Sequence, residues 1–391
     1  MANRVTRRQF MTRTGLALGG IALGPQLLAA CSSDSKDSAS GGDSGKGSND
    51  IWFDNWTLYI DKPNDELYGK GGTLDEFQKA SGLKIKYTEG YNDNNEYFAK
   101  IQPLLSKGDP IGPNIIAPTF WMAGRLIGLG WLEKLPLSKI PNAKNLVTSL
   151  QKPPSDPTGE YSLPWQSGVA GIAYNQKVTG RELKSMDDLW DPAFKGKIGV
   201  LTEMRDTIGL IAMSLGTDLD KPTYQNFQPA FAKLEEEVQN GQIRQFTGND
   251  YVKDLSQGNF AACIGWSGDI VQIQKDNPDI RFAVPESGGT LWYDTMVIPK
   301  GAQDLDAVAK WMDYVYDPVN AARITAAVQY IPTVAGVQDE LRKMGGDAAA
   351  LADSQLLFPD ATTLANLQSW GNLSESEEQK FDEEFARISG S

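Results

Sequence analysis

The sequence predicts an α/β protein built as two lobes, because an alternation of strand-like and helix-like segments occurs twice along it. The first alternation runs from residue 51 to residue 117, and the second runs from residue 197 to residue 316. Such an alternation is typical of a largely parallel sheet covered by helices. No repeat of fixed period relates the two runs, so we expect two separate α/β lobes between which the chain crosses more than once.

The first run begins with an apolar and aromatic strand over residues 51–53. Thr73 and Glu76 lie three residues apart and predict a capping box at the start of a helix, which Gly82 would end. The rest of this run predicts, from its apolar periodicity, a strand over 83–87, a helix over 95–106 and a strand over 114–117.

The second run contains further strand patterns, each followed by a turn or a helix pattern. Its most strongly amphipathic helix covers residues 305–316. The predicted strands are 197–201, 261–265, 281–284 and 290–298, and the other predicted helices are 208–215 and 270–275.

The composition of the 391-residue chain excludes several classes of enzyme. Because it contains no histidine, no Ser-His-Asp or Cys-His catalytic unit and no histidine zinc site can form. The two cysteines, Cys31 and Cys263, do not predict a disulfide framework. The formal net charge of −13 argues against nucleic acid as a partner and suits a cationic ligand. Catalysis by paired carboxylates, as in glycosidases, stays open.

The N-terminal region has the features of a bacterial export signal. A twin-arginine pattern at residues 6–11 precedes an apolar stretch over 15–30, which ends directly before Cys31. This arrangement predicts a signal peptide over residues 1–30 and lipidation of Cys31, since the stretch falls short of the roughly 20 residues that a span needs. Residues 31–49, rich in Ser, Gly and Asp, predict a flexible tether. We therefore expect an extracytoplasmic protein held to the membrane by lipid.

Aromatic and acidic residues follow several of the predicted strands, at the edge where open α/β sheets bind their ligands. Trp292 and Asp294 lie two residues apart on one strand and therefore point to the same face. Each aromatic residue could instead be core packing, and Asp206 and Asp269 could be helix N-caps. The side chains at the other strand ends are Trp56, Thr57, Tyr59, Thr119, Phe120, Trp121, Glu203, Asp206, Trp266, Ser267 and Asp269.

Aromatic faces together with carboxylates are the groups that an aliphatic polyamine needs. Aromatic rings cover the methylenes and attract the ammonium groups, each contact contributing ~0.5–2 kcal/mol. Carboxylates accept charge-assisted hydrogen bonds from the same ammonium groups, which would be very costly to bury alone. The acids would also suit a glycosidase if two carboxyl groups stood about 5–10 Å apart across a sugar.

Residues 51–391 resemble the bacterial spermidine/putrescine-binding proteins, the extracytoplasmic receptors of polyamine ABC importers. The resemblance depends on short motifs that occur in the order and spacing of that family. They are Asn55-Trp56-Thr57-Leu58-Tyr59, Pro118-Thr119-Phe120, Tyr161-Ser162-Leu163-Pro164-Trp165, Asp188-Leu189-Trp190, Leu201-Thr202-Glu203, Gly265-Trp266-Ser267-Gly268, Leu291-Trp292-Tyr293-Asp294 and Tyr330-Ile331-Pro332-Thr333.

The resemblance implies a two-lobed periplasmic-binding-protein-like fold of type II, with two chain crossovers and the ligand in the cleft between the lobes. One lobe would comprise residues 50–165 and 293–340, and the other would comprise residues 166–292 and 341–391. The implied function is capture of a polyamine by lobe closure and its delivery to the permease and ATPase subunits of an importer. The protein would act as a monomer without catalysis, metal or other cofactor.

The resemblance also assigns ligand contacts, position by position. One wall would consist of Trp56, Thr57, Tyr59 and Phe120. The methylenes would be covered by Trp266, Trp292 and Tyr330, and the amines would be received by Glu203, Asp206 and Asp294. Gln368 would also reach the ligand.

Two positions depart from the family pattern. Leu58 stands where the family usually has an acid, so one amine partner is either missing or replaced by Asp54, Asp61 or Asp269. Phe120 replaces a common tyrosine and lacks its hydroxyl group. The choice among putrescine, spermidine and spermine therefore stays open, as does another small organic cation or a metal-bound ligand. An exported glycosidase that uses two of the acids is the remaining alternative.

Overall fold

The computed structural model describes residues 50–61, 71–274 and 276–390. The predicted signal peptide over 1–30, the tether over 31–49 and the lipidation site Cys31 lie outside the described residues. No helix in the described part of the chain combines the length and apolar character needed to cross a membrane.

The described residues form strands that join in one mixed sheet. The strands are β1 Asp50–Trp56, β2 Lys84–Tyr91, β3 Ile115–Ile116, β4 Leu132–Glu133, β5 Ser162–Asn175, β6 Ile198–Leu201, β7 Ile243–Thr247, β8 Ala262–Trp266, β9 Ile280–Ala283, β10 Gly289–Pro299, β11 Ile331–Pro332 and β12 Leu367–Gln368.

Helices cover the sheet. The α-helices are α1 Gly72–Ser81, α2 Asn94–Leu105, α3 Phe120–Gly128, α4 Gln176–Thr179, α5 Met204–Ser214, α6 Tyr224–Gln239, α7 Tyr251–Gln257, α8 Ser267–Gln274, α9 Leu305–Val315, α10 Pro318–Val328, α11 Val337–Met344, α12 Gly346–Leu351, α13 Ala361–Ala365 and α14 Glu375–Ser389. Short 3-10 helices are Leu137–Lys139, Pro141–Asn145, Thr148–Leu150, Met186–Trp190 and Pro192–Phe194.

The order of the sheet brings two groups of parallel strands together. The main path is β2-β1-β3-β10-β5-β8-β6-β7. β1 is parallel to β2 and β3, and β6 is parallel to β7 and β8. β10 is antiparallel to β3 and β5, and β5 is antiparallel to β8. The two groups therefore run toward the middle of β5 and β10 from opposite ends, and their carboxyl ends converge there.

The long strands β5 and β10 hold both groups together. Their register pairs Ser162 with Val297 at one end and Ala170 with Thr290 at the other. β5 was not predicted from the sequence, because proline and glycine usually interrupt a strand. Pro164 is accommodated beside the irregularity in β10 after Asp294, where a missing backbone donor is tolerated.

Buried apolar residues form three clusters, which we name after a helix in each. The α5 core includes Ile208, Ile264 and Phe381; the α9 core includes Phe77, Met296 and Trp311; and the α2 core includes Phe98, Ile101 and Leu126. Trp266 and Trp292 pack against both the α5 core and the α9 core. These two rings therefore stand where the α5 and α9 cores meet.

Most of the predicted strands and helices are present within a few residues of their predicted bounds, but the capping box is wrong. α1 begins at Gly72, so its N-cap residue is Gly71, which has no side chain that could accept a hydrogen bond. The backbone N–H of Thr73 instead donates to Asp61 Oδ2 at 2.8 Å, so a distant carboxylate satisfies the end of this helix. Gly82 does end the helix, with φ of 71°.

Residues on both sides of the predicted division at residue 340 pack into one core. Leu341, Ala348 and Ala352 pack into the α9 core, because the apolar face of α11 lies against α10. Phe381 and Phe385 of α14 pack into the α5 core. The segment associated with the α9 core therefore extends to about residue 352.

Candidate functional site

An open cavity lies where the carboxyl ends of the two strand groups converge, with about 780 Å³ of empty space that includes the solvent at its mouth. Its walls come from the ends of β1, β6 and β8, the N-terminal turns of α2, α3 and α5, and the middle of β10. The lining residues are Trp56, Thr57, Tyr59, Asn92, Asp93, Asn94, Thr119, Phe120, Trp121, Thr202, Glu203, Arg205, Asp206, Asn249, Trp266, Asp269, Thr290, Leu291, Trp292, Asp294, Tyr330 and Trp370.

All but one of the residues assigned to the ligand from the sequence line this cavity. Gln368 does not. Its side-chain Oε1 accepts a hydrogen bond from the backbone N–H of Leu219 at 3.0 Å, and its backbone pairs with Thr290 of β10. Gln368 therefore ties β12 to the loop before α6 instead of facing the cavity.

Asp294 is the buried carboxylate on the β10 wall. Tyr59 donates its hydroxyl to Asp294 Oδ2 at 2.8 Å, and Thr119 donates to Oδ1 at 2.7 Å. These hydrogen bonds favour the charged carboxylate, but burial outweighs them and raises the pKa of Asp294 to about 7. Only 5% of the residue is exposed. Its two oxygens are thus held in place by neutral donors.

Asp206, in the first turn of α5, is held in the same way from other elements. Trp266 donates its indole N–H to Asp206 Oδ2 at 2.7 Å, and Thr290 donates to Oδ1 at 2.6 Å. Burial raises the pKa of Asp206 to about 6 despite these two hydrogen bonds. Because Asp206 is the third residue of α5, the positive end of the helix dipole also favours its charged form.

Of the three acids considered as replacements at the Leu58 position, Asp269 is the one that lines the cavity. It accepts hydrogen bonds from the hydroxyls of Tyr251 and Tyr330, each at 2.9 Å, and from Asn249 at 3.1 Å. Burial raises its pKa. Asp54 accepts from Thr88 and Tyr97 beneath the cavity wall, and Asp61 caps α1, so both acids serve other hydrogen bonds.

Glu203 adds a fourth carboxylate at the N-terminus of α5. Its side chain accepts a hydrogen bond from the backbone N–H of Arg205 at 3.3 Å and acts as the N-cap. Burial raises the pKa of Glu203 to about 8, and the nearby charge of Asp206 acts in the same direction. Glu203 is therefore both a structural cap and a lining acid.

None of these four carboxylates forms an ion pair with a described lysine or arginine. Together with Asp93, the N-cap of α2, five acids thus line one cavity without a salt bridge to a cation of the described chain. A buried carboxylate that lacks a cation is strongly disfavoured in its charged form. The site is therefore chemically suited to a ligand that brings its own positive charge. No group of three or more acids or cysteines among the described residues is arranged to hold a metal ion.

Aromatic rings form the rest of the cavity surface. Trp292 packs edge-on against Tyr330, with centroids 5.5 Å apart, and against Trp266 at 6.4 Å. Tyr59 meets Tyr330 at 5.4 Å and 90°. The indole N–H of Trp56 donates to the carbonyl of Ala117 at 2.8 Å, which fixes the orientation of that lining ring.

Two glycines make room for these rings. A Cβ atom on Gly268 would lie 2.6 Å from three ring atoms of Tyr330, and one on Gly168 would lie 2.5 Å from the Trp292 ring. Neither glycine has a positive φ, so the constraint is space and not backbone conformation. Gly168 and Gly268 therefore set how closely Tyr330 and Trp292 approach the sheet.

Several lining residues were not predicted from the sequence. Asn94 donates to the Thr119 hydroxyl at 2.8 Å, and Asn249 contacts Asp269. Asn94 follows β2 and Asn249 follows β7, and each of these strands is parallel to a predicted strand. Their positions just after a strand end were therefore the signal in the sequence that could have identified them as lining residues. β7 itself was not predicted, because the polar pair Arg244-Gln245 breaks its apolar pattern.

The chain belongs to the family of bacterial extracellular solute-binding proteins. The model of that family matches residues 73–353, which include most of the cavity. The large mixed sheet with helices on its surfaces is the periplasmic-binding-protein-like fold, as the solved neighbours also have.

Similar proteins cover most of this chain. The spermidine/putrescine-binding periplasmic protein 1 of Haemophilus influenzae is 25% identical over 317 residues, covering 81% of this chain and 82% of that protein. The putrescine-binding periplasmic protein SpuD of Pseudomonas aeruginosa is 28% identical, covering 71% and 76%. A solved structure from Listeria monocytogenes has a TM-score of 0.75 at 25% identity and covers 87% of this chain and 99% of its own.

The raised pKa of Asp294 predicts a pH-dependent stability of the ligand-free protein. Between about pH 4 and pH 7 the folded protein keeps a proton on Asp294 that the unfolded chain has released, so its stability should fall as the pH rises. Asp294→Asn should remove this part of the slope. The difference in free energy of unfolding, variant minus wild type, should therefore increase by about 2–3 kcal/mol between pH 5 and pH 8. Urea titrations of both proteins at each pH measure this difference. Parallel pH profiles for the two proteins would contradict this account.

The close approach of Tyr330 to Gly268 predicts that Gly268→Ala overpacks the site. We expect a loss of about 1–3 kcal/mol in the free energy of unfolding, because the ring must move. Gly128→Ala is the matched control: it is also helical, but nothing lies within 4 Å of its added Cβ, so it should be neutral or mildly stabilising. In a Tyr330→Ala background the change at 268 should have no such effect, and an equal loss there would disprove the overpacking.

Proposed function

We propose that this chain is the substrate-binding protein of an ABC importer and that it binds an aliphatic polyamine such as putrescine or spermidine. The observation that carries the proposal is the pair Asp206 and Asp294. Both carboxylates are buried, both accept their hydrogen bonds from neutral groups, and both line one aromatic cavity. No described lysine or arginine forms a salt bridge with either acid. The ammonium groups of a ligand would provide this missing positive charge.

The aromatic surface fits the remainder of such a ligand. Methylene groups between two ammonium groups need an apolar cover, and Trp266, Trp292 and Tyr330 provide it beside the carboxylates. Rings near an ammonium group also attract it through their electron-rich faces. The names of the relatives from Haemophilus influenzae and Pseudomonas aeruginosa, which state polyamine binding, support the same ligand class.

In this proposal the ligand is captured by closure of two lobes around the cavity. One lobe consists of residues 50–165 together with the segment from 293 to about 352, and the other consists of residues 166–292 and the C-terminal part. The loaded monomer then delivers the polyamine to the permease and ATPase subunits of the importer. It does not transform the ligand, as is general for solute-binding proteins, the family to which the chain belongs.

The proposal includes an extracytoplasmic location with a lipid anchor at Cys31. The twin-arginine pattern and the cysteine after the apolar stretch support export and lipidation. The polar tether would keep the binding body near the membrane surface and its permease, with a reach of roughly 20–25 Å.

A second candidate is a different small organic cation in the same cavity. The observation that favours it is Leu58, an uncharged residue that is 52% exposed and has a φ of 57°, between the lining residues Thr57 and Tyr59. An exported glycosidase that uses two of the acids is the enzymatic alternative. Hydrolysis of chromogenic glycosides, abolished by Asp206→Asn, would select that alternative.

Isothermal titration with putrescine, spermidine and spermine tests the proposal. The protein is first unfolded and refolded to remove any ligand carried through purification. We expect saturable one-to-one binding of at least one polyamine at micromolar affinity or better. Absence of heat with all three polyamines would contradict polyamine binding and would favour a different organic cation.

Asp294→Asn should weaken polyamine binding by about 2–5 kcal/mol, because an ammonium group then loses its buried partner. Asp54→Asn is the matched control: Asp54 is also buried and also accepts from a threonine and a tyrosine hydroxyl, but it does not line the cavity. The control should bind within about twofold of wild type. Equal affinities of wild type and Asp294→Asn would disprove the assigned role of Asp294.

Cys31→Ala should release the protein from the membrane fraction while polyamine binding stays unchanged, because the anchor and the cavity are separate. The measurement is cell fractionation with metabolic labelling by a radioactive fatty acid. Wild type should be labelled and sediment with membranes, whereas the variant should be unlabelled and soluble. Label on the variant would place the lipid at another residue.

A further inference from the structure

Arg205 is the one lysine or arginine among the described residues that line the cavity. Its side chain is 7% exposed, and its Nη2 donates to both carboxylate oxygens of Glu378 on α14, at 2.7 and 2.5 Å. Its backbone carbonyl accepts the indole N–H of Trp370 at 2.8 Å. Arg205 thus forms its ion pair with Glu378 and not with the acids that face the ligand, although its charge lowers the pKa of Glu203 and Asp206 and so opposes the effect of burial.

The same guanidinium group lies over the ring of Trp121, with Cζ 3.8 Å from the ring centroid. Trp121 is on α3, whose buried residues Met122 and Leu126 belong to the α2 core. α5 and α14, which carry Arg205 and Glu378, contribute to the α5 core. Phe120 of the same helix belongs to the α5 core, and Trp121 packs against both cores. The contact between Arg205 and Trp121 therefore lies where the α2 core and the α5 core meet.

This contact also forms a boundary. A second, larger groove, with about 1890 Å³ of empty space including open solvent, lies between α3 and α14 on the other side of it. Phe120, Trp121 and Arg205 line both the cavity and that groove. A separation of α3 from α5 at this point would therefore join the two spaces and expose the cavity.

We propose that Arg205 is a positioning residue that latches the α3 wall of the cavity to α5 and α14, and so slows release of the bound ligand. The proposal rests on the lobe closure described under the proposed function. Arg205 acts through Trp121, and Glu378 holds the guanidinium in place for this contact. Ligand release requires the contact to break, whereas ligand entry into the open protein does not.

The geometry requires arginine at this position. A guanidinium group donates hydrogen bonds from its edge while it presents a flat face to an aromatic ring. A lysine ammonium keeps the positive charge but cannot do both in one fixed orientation. Arg205→Lys therefore weakens the latch with little change in the electrostatic field that a cationic ligand meets.

The test measures ligand release by stopped-flow tryptophan fluorescence and the dimensions of the ligand-free protein by small-angle X-ray scattering. The variants are Arg205→Lys and the matched control Arg125→Lys. Arg125 also lies over an aromatic ring, with Cζ 4.2 Å from the Phe98 centroid, but Phe98 shares the α2 core with Met122 and Leu126 of α3 itself. Thermal melting confirms that each variant is folded.

We expect Arg205→Lys to release polyamine at least fivefold faster, with an association rate within about twofold of wild type, or to have a larger radius of gyration without ligand. Arg125→Lys should change neither quantity. Trp121→Leu, which leaves the pair of Arg205 and Glu378 intact, should have the same effect as Arg205→Lys, and the double variant should add little to either.

The latch would be overturned if Arg205→Lys and Trp121→Leu had the same release rate and the same radius of gyration as Arg125→Lys. Failure of the proposed function is distinguishable, because it shows as absence of polyamine binding by wild type. In that case the scattering comparison alone decides: larger dimensions of Arg205→Lys support the latch, and equal dimensions overturn it.

Discussion

The rest of the site depends on carboxylates that are buried in one cavity without a salt bridge to a described cation of the chain. Asp206 and Asp294 each accept hydrogen bonds from two neutral donors, which orient the oxygens but leave the burial of charge only partly compensated. The raised pKa of both groups has this cause. A cationic ligand removes the cost of this buried charge when it binds. The same buried carboxylates therefore explain both the affinity for a cation and the lower stability of the ligand-free protein.

The topology of the sheet explains how these acids meet although they are far apart in sequence. β5 and β10 run antiparallel through the centre, and the parallel strands on either side run toward their middle. Loops after β1, β6 and β8 therefore face one another across Asp294 and its neighbours. The irregularity in β10 directly after Asp294 lies at the same point, beside Pro164 of β5.

The aromatic rings serve both packing and the site. Trp266 and Trp292 pack against the α5 core and the α9 core together, and they also line the cavity. Trp266 in addition donates to Asp206, so the ring and the acid hold each other in position. Since Arg205 and Trp121 join the α5 core to the α2 core on another wall, the contacts between cores are concentrated around the cavity. Relative movement of the cores would change the shape of the cavity first.

The sequence by itself determined the type of most elements, because apolar residues repeat every two residues in strands and every 3.6 residues in helices, and both are local signals. It also determined which residues follow the strand ends, since the end of a strand pattern is local as well. It thereby identified Trp56, Trp266, Asp206 and Asp294, all of which line the cavity. Only the tertiary structure decided which hydrogen-bond partner each polar group takes. Asp294 meets Tyr59 across 235 positions of sequence, and Gln368 is drawn to Leu219, away from the cavity. Such choices depend on the final packing of distant segments, which leaves no local pattern to read.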